Sequence, residues 1–309
     1  PSVQIKAQMD SVSANELFHA IPDAMVSTIR DAKFKGTAGA ELEISFKTLD
    51  LDNLRLRFKP TGKNFEVLSL GPKVQLDTLF DPFVHRINTP MGPVSILVGV
   101  GNEYFVPYED IPSYLTLAIT TTEDATFFKH EGFAGFAIRR SIIQDLRKGA
   151  FVRGASTISQ QTVKNLFLSH EKTIARKIQE AIITHAMELS LSKEKILEIY
   201  FNIIEWGPDV FGLGQAARYY FDKTPEELNL VDCLFLVSLI PAPRIYVREF
   251  EQGAISSAWR RRLKNYARKM HERKKISSSE FEAGLPYDPI FGSRDIIDAL
   301  PPATPATEP

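Results

Sequence analysis

What the chain lacks narrows its chemistry first. Of its 309 residues one is cysteine, Cys233, so neither an internal disulfide nor a cysteine-based metal site can form. Its position inside the apolar run Leu228–Ile240 marks it as a core residue. No run reaches the roughly 18 apolar residues that a membrane-spanning helix needs; the longest is interrupted by Asp232 and ended by Pro241. Charge of one sign is not in excess either, since 37 Lys and Arg stand against 38 Asp and Glu for a formal net charge of −1. Phosphate-dominated binding of nucleic acid needs a clear basic excess, so that class is set aside and any anion site has to come from a local cluster. The histidines at 19, 85, 130, 170, 185 and 271 show no metal-ligand spacing.

Several look-alike motifs also fall away. Gly99-Val-Gly101 and Gly212-Leu-Gly214 lack the third glycine and the strand-to-helix setting of a nucleotide loop. Ser190-Leu-Ser-Lys193 has the form Ser-x-x-Lys, but no Lys-Thr-Gly occurs in the chain, which argues against a transpeptidase. What remains is a folded protein: 44% apolar and 24% charged residues, with enough length for two ordinary domains and a sizeable core.

From Gly39 to about residue 100, segments such as Glu41–Lys47, Asn53–Lys59 and Pro93–Val98 alternate apolar and polar residues. Turn signals at Pro60-Thr-Gly62 and Gly71-Pro72 separate them, so antiparallel strands are expected. Before them, Asn15–Arg30 reads as a helix broken at Pro22. Pro107–Pro112, with Glu109 and Asp110 between the prolines, leads into the first apolar helix. The domain boundary is placed near residue 100: a β-rich accessory domain over 1–100, a mainly helical domain over 101–290, and a Pro/Ala/Thr-rich tail over 291–309 with too little apolar content to fold.

The stretch from Gly154 to Glu188 carries the most explicit chemistry. Ser156 or Thr157 can cap a helix, and Gln160, Gln161, Lys164 and Asn165 follow at helical spacing, giving a donor-rich face. After a break at Ser169–Lys172, Ile174, Ile178, Ala181, Ile182, Ala186 and Leu189 recur at three- and four-residue steps, as an amphipathic helix requires. Arg176 and Glu180 lie one turn apart on it; an isolated pair of this kind is a solvated salt bridge of small effect. Upstream, Thr121–Gly132 packs Glu123, Asp124 and His130 among aromatics, where a carboxylate can lose water and accept a proton.

In order along the chain, Glu123-Asp124 with Phe127 and His130-x-Gly132, then Gly154–Gln161 with Lys164-Asn165, then Arg176-Lys177 with Glu180, resemble the motifs of the peptidoglycan glycosyltransferases. These are the lysozyme-like glycosyltransferase family 51. Lys195–Asn202, Gly207 to Gly212, Ala216–Phe221 and Leu239–Pro243 continue the resemblance, which covers roughly residues 105–285. Gly-Ala-Ser-Thr-Ile-Ser-Gln-Gln is closest to the monofunctional biosynthetic transglycosylase type. Ala134 stands where an Asp often follows the His-x-Gly-Phe run, and Trp206 where Tyr or Phe is commoner.

The resemblance implies an α+β chain in which a lysozyme-like helical domain follows a smaller β-rich one. It implies polymerisation of lipid II into β-1,4-linked glycan by an inverting transfer that releases undecaprenyl pyrophosphate. Glu123 would be the general base, with Lys164 and Arg176 binding the pyrophosphate and Lys177 assisting. Glu180 would either hold Arg176 or position pyrophosphate through Mg²⁺ or Mn²⁺. Ser156, Thr157, Gln160, Gln161 and Asn202 are candidates for binding sugar, Asp124 belongs to the same set, and His130 is read as orienting the loop that carries Glu123. The expected partners are lipid II, the growing strand and the periplasmic face of the bacterial inner membrane, with other cell-wall synthesis proteins at residues 1–100. The start at Pro1, without Met or signal, is read as a fragment or processed form whose anchor preceded it.

Two further segments are basic and amphipathic. Phe133–Lys148 interleaves Phe133, Phe136, Ile138, Ile142, Ile143 and Leu146 with Arg139, Arg140, Arg147 and Lys148, followed by Arg153; it reads either as a core helix with a solvated basic face or, as its place between the first two motifs of the resembled family implies, as a segment that dips into the membrane interface. Trp259, Leu263, Tyr266 and Met270 form a stripe opposed by basic residues from Arg260 to Lys275, a face either solvated or set against anionic lipid. Residues 1–100 look weakly like the repetitive β-segments of AsmA-like envelope proteins, with a plain β accessory domain as the simpler reading. The rival functions are a lytic glycan-cleaving enzyme, which has no need of Lys164 and Arg176, and a non-catalytic envelope scaffold or lipid- or partner-binding protein.

Overall fold

The computed structural model describes residues 2–89, 92–150, 154–169, 171, 173–245, 250 and 253–292. Arg153, His170 and the tail 293–309, on which expectations were placed above, lie outside these residues. The chain is α+β and forms two compact units that do not follow chain order: Pro1–Asp77 with Lys129–Ser190, and Thr78–Phe128 with Leu191–Pro309.

In the first unit, β1 (Ser2–Ser13), β3 (Thr37–Lys47) and β4 (Asp50–Pro60) form an antiparallel sheet in the order β1-β3-β4. Its register sets Ile5 opposite Ile44 and Ala7 opposite Leu42, and sets Leu42 opposite Phe58 and Ile44 opposite Leu56. Because side chains alternate with period two, these residues gather on one face and Lys6, Gln8, Glu41, Glu43, Arg57 and Lys59 on the other. The apolar face stays open, with Ile5, Met9 and Phe58 exposed. A second pair joins β2 (Lys33–Lys35) to β5 (Glu66–Ser69).

The strands expected after Gly39 are present, and β1 adds one that the sequence reading did not assign. The expected helix over Asn15–Arg30 shrinks to α1 (Ala14–His19), capped by Ser13, and a 3₁₀ turn at Asp23–Met25. Pro22 lacks the amide that would continue the helix.

The first unit also holds α3 (Gly135–Lys148), α4 (Ile158–Phe167) and α5 (Ile174–Ser190). Helix α3 rests on β4, where Arg139 Nε donates to the Leu54 carbonyl at 2.6 Å and Arg147 pairs with Asp52 at 2.6 Å. Arg139 thus covers backbone carbonyls of an edge strand that would otherwise be open to pairing, and Arg147 holds an acidic side chain beside them.

The second unit is built on α2 (Ser113–Thr122), α8 (Leu230–Leu239) and α9 (Ser257–Glu272), each in contact with the other two. Residues 232–239 of α8 are all buried, as an all-round apolar helix requires. Cys233 is fully buried among them, and burial pushes its thiol far above the usual range. Buried Trp259 donates from Nε1 to Ser238 Oγ at 2.7 Å, and its ring stacks on Phe235. Around this core lie α6 (Lys193–Ile203), α7 (Leu213–Phe221), α10 (Ser278–Ala283), the hairpin β6 (Phe83–Thr89)–β7 (Gly92–Val98) and the small pair β8 (Glu205–Gly207)–β9 (Val210–Phe211). Among the described residues no helix is long and apolar enough to cross a membrane.

Candidate active site

The predicted site residues fall in both units: His130, Ser156, Thr157, Gln160, Gln161, Lys164, Arg176, Lys177 and Glu180 in the first, Glu123, Asp124 and Asn202 in the second.

In the first unit the anchor is the start of α4. Thr157 Oγ1 accepts from the Gln160 amide at 3.2 Å while Gln160 Oε1 accepts from the Thr157 amide at 3.1 Å, a reciprocal capping box. Thr157 Oγ1 also donates to the Gly132 carbonyl at 2.7 Å, and the Gly132 amide donates to His130 Nδ1 at 3.0 Å. Gly132 has φ +88, and a Cβ there would lie 2.7 Å from Thr184 Cγ2, so this corner admits glycine alone. Thr157 and Gln160 are buried and committed to the cap. They shape the site from behind, and Ser156, Gln161, Lys164 and Asn165 are left more open.

On α5, Glu180 is 2% exposed and shared by two cations. Arg176 Nη1 donates to its Oε2 at 2.6 Å, and Lys177 Nζ donates to its Oε1. Arg176 is held further by its Nε on the Glu171 carbonyl at 2.6 Å, and Lys177 Nζ reaches Ser156 Oγ at 3.1 Å. Lys164 faces the same group from α4, where burial, then Arg176, then Lys177 lower its proton affinity against the opposing pull of Glu180. The Arg176–Glu180 pair is therefore no isolated surface bridge. Three cations, Lys164, Arg176 and Lys177, gather around one buried carboxylate, and the excess positive charge suits an oxyanion with several oxygens.

The same geometry tests the divalent ion. Both oxygens of Glu180 accept from cations, one each from Arg176 and Lys177. Among the described residues no group of three His, Cys, Asp or Glu could hold an ion. The donor set fits the other role considered for Glu180, holding the two cations.

In the second unit Glu123 is half-buried at the C-cap of α2, its amide donating to the Ile119 carbonyl at 2.9 Å, and Asp124 beside it is buried. Tyr200 on α6 is fully buried, and burial, with the Glu123 charge second, pushes its phenol well above the usual range. Tyr200 was not singled out from the sequence; only its position in a motif two residues before Asn202 could have drawn attention to it. Asn202 itself is pinned to the chain: Nδ2 donates to the Val106 carbonyl at 2.7 Å and the Glu198 carbonyl at 2.8 Å, and Oδ1 accepts from the Val106 amide at 2.9 Å. With both amide donors engaged in the core, Asn202 fixes the segment leading into α2. Phe127 carries Lys193 Nζ 4.5 Å above its ring, which steadies the turn after Glu123.

Comparison with known proteins agrees with the residues. Residues 94–271 match the family described as Transglycosylase. The "Biosynthetic peptidoglycan transglycosylase" of Nitrosospira multiformis is 47% identical over 142 residues, 46% of this chain and 62% of the relative. That of Dechloromonas aromatica is 45% identical over 146 residues, 47% of this chain and 63% of the relative. That of Nitrosomonas eutropha is 48% identical over 142 residues, 46% of this chain and 58% of the relative. The chain thus spans less than two thirds of the length of these relatives. A crystal structure of Penicillin-Binding Protein 1A from Haemophilus influenzae aligns with 69% of this chain and 21% of its own at 19% identity and a TM-score of 0.35, too slight a likeness to carry an argument. With more than half of its residues inside the family match, the chain belongs to the transglycosylase family.

Proposed function

We propose that this chain polymerises lipid II into the β-1,4-linked glycan strands of peptidoglycan. The observation that carries the reading is the cluster of Lys164, Arg176 and Lys177 around the buried carboxylate of Glu180, in a chain of the transglycosylase family. A lytic enzyme that adds water to a glycan has no pyrophosphate to hold, and a scaffold has no use for so costly a concentration of partly buried charge.

In this reading the 4-hydroxyl of the acceptor GlcNAc attacks C1 of the donor MurNAc while Glu123 takes its proton. The bond from C1 to the phosphate oxygen breaks, and its electron pair leaves with undecaprenyl pyrophosphate, whose growing charge Arg176, Lys164 and Lys177 neutralise. One displacement inverts the anomeric centre. Glu180 keeps Arg176 and Lys177 in position. Ser156 and Gln161 remain the candidates for sugar contact, with Thr157, Gln160 and Asn202 acting through the backbone they fix. Residues 101–290 carry the catalysis and 1–100 are accessory; the open apolar face of β1-β3-β4 supports binding of another cell-wall synthesis protein there.

The place of work is the periplasmic face of the inner membrane. Phe136 on α3 is 67% exposed and Leu146 47%, next to Arg147 and Lys148, a composition suited to an interface.

The test is polymerisation of labelled lipid II in detergent by the unmodified chain and by Glu123→Gln. Polymer from the first, with a loss of about 10²–10⁴ in rate in the second, is expected of a general base. Hydrolysis of preformed glycan in place of polymer would sink the reading.

A further inference from the structure

Helix α2 delivers Glu123, yet its last turn is poorly made for the task. Thr120, Thr121 and Thr122 are β-branched and weak helix formers. Each turns its hydroxyl back on the carbonyl four residues earlier: Thr120 to Thr116 at 2.7 Å, Thr121 to Leu117 at 2.6 Å and Thr122 to Ala118 at 3.0 Å. Such back-bonding loosens and bends a helix. No glycine closes the turn, and no basic residue lies within it. The carbonyl end of a helix also carries partial negative charge, which cations stabilise.

The cations come from far along the chain. Arg273 Nη1 donates to the Thr121 carbonyl at 2.9 Å, and Lys275 Nζ donates to Thr120 Oγ1 at 2.9 Å and reaches the Leu117 carbonyl at 3.4 Å. Both are aimed by the C-terminal turn of α9. There Lys274 takes φ +56, its amide donates to the His271 carbonyl at 2.8 Å, and the Lys275 amide closes on the Met270 carbonyl at 2.9 Å. This six-to-one closure throws residues 273 and 275 to the α2 side. All three residues lie past residue 271, where the family match ends.

We infer that Arg273 and Lys275 are positioning residues that clamp the end of α2 and thereby fix where Glu123 presents its carboxylate. The inference rests on Glu123 being the base of the proposed reaction. A misplacement of the base lowers turnover more than substrate binding, because the proton moves only in the transition state.

Two measurements decide it. In the lipid II assay, Arg273→Gln and Lys275→Met, singly and together, are expected to lower kcat by about 10-fold with KM nearly unchanged. Arg273→Lys and Lys275→Arg, which keep the donors, restore most of the rate. Hydrogen exchange in the same proteins is expected to speed up at the amides of residues 120–123 while α8 stays protected. The single change Arg273→Gln alters an exposed side chain and is expected to leave the fold intact. Unchanged kcat and unchanged exchange in the double variant overturn the clamp, as does an equal loss in the conservative pair. If the unmodified chain makes no polymer, the reading of its activity fails, and exchange at residues 120–123 alone decides the clamp.

Discussion

Removing the charge of Glu180 while keeping its shape would leave Arg176 and Lys177 without a buried counter-ion. Because both cations keep some contact with solvent, Glu180→Gln should cost about 1–3 kcal/mol rather than the larger penalty of a wholly buried pair, a difference read by urea denaturation. Loss of the one anion that supports its proton also lowers the affinity of Lys164 for that proton still further. The sign of the resulting pH effect is fixed. In the proposed reaction protonated Lys164 holds pyrophosphate, and its folded pKa lies below the usual lysine value, so affinity for inorganic pyrophosphate should fall with rising pH earlier than an ordinary lysine would allow, and earlier again in Glu180→Gln. Titration calorimetry between neutral and alkaline pH would show it, and a pH-independent affinity would refute it. The pairing of Arg176 with Glu180 one turn away was legible in the sequence. The sharing of Glu180 by Lys177 as well as Arg176 was not, since i,i+3 and i,i+4 neighbours compete for a carboxylate and only packing against α4 decides the outcome.

Local rules and tertiary contacts divide the work among the elements. Helix α4 is self-specified: Thr157 and Gln160 write a capping box into four residues, and Thr157→Ala should lower stability by about 1–2 kcal/mol, seen as a shifted denaturation midpoint. The end of α2 is the opposite case, three threonines in need of support from Arg273 and Lys275, and no periodicity announces that support. The turn that aims them holds a lysine in left-handed backbone at φ +56. Lys274→Gly should therefore stabilise the chain by about 1 kcal/mol without loss of polymerisation, because relief of backbone strain leaves residues 273 and 275 in place. Strands β3 and β4 were readable from alternation, whereas β1 was not assigned. Its alternation is present in Val3, Ile5, Ala7 and Met9, but Ala7 adds little apolar signal and an edge strand needs its neighbour to be recognised.

At the scale of the molecule, the buried histidine His85 makes stability sensitive to acid. His85 on β6 is buried, and desolvation lowers its pKa to about 4. The unfolded chain, with an ordinary histidine value of about 6.5, binds more protons between those limits. Stability contributed by the neutral ring is therefore full above about pH 6.5 and falls as pH drops towards 4. Thermal denaturation across this range should show a fall in Tm that His85→Phe flattens; an equal fall in the variant would assign the loss to the carboxylates instead. The chain also folds into units that interleave its two halves, residues 129–190 grouping with the N-terminal sheet. A boundary sought in composition alone follows chain order, and the hydrogen bonds of Arg139 and Arg147 to β4 have no signature in either segment read separately.

By itself the sequence determined the family and most of the helices and strands, because these rest on ordered motifs and on periods of about two and 3.6 residues that local geometry enforces. The tertiary structure decided which polar groups stay open and which are consumed by the fold. Thr157, Gln160 and Asn202 stand in the string of letters as candidates for sugar contact, and in the structure their side chains form caps and bond to the backbone. The partner of a buried donor or acceptor is chosen by chain segments tens to hundreds of residues away, and hydrogen-bond satisfaction in a packed interior admits one arrangement among the many that the string permits.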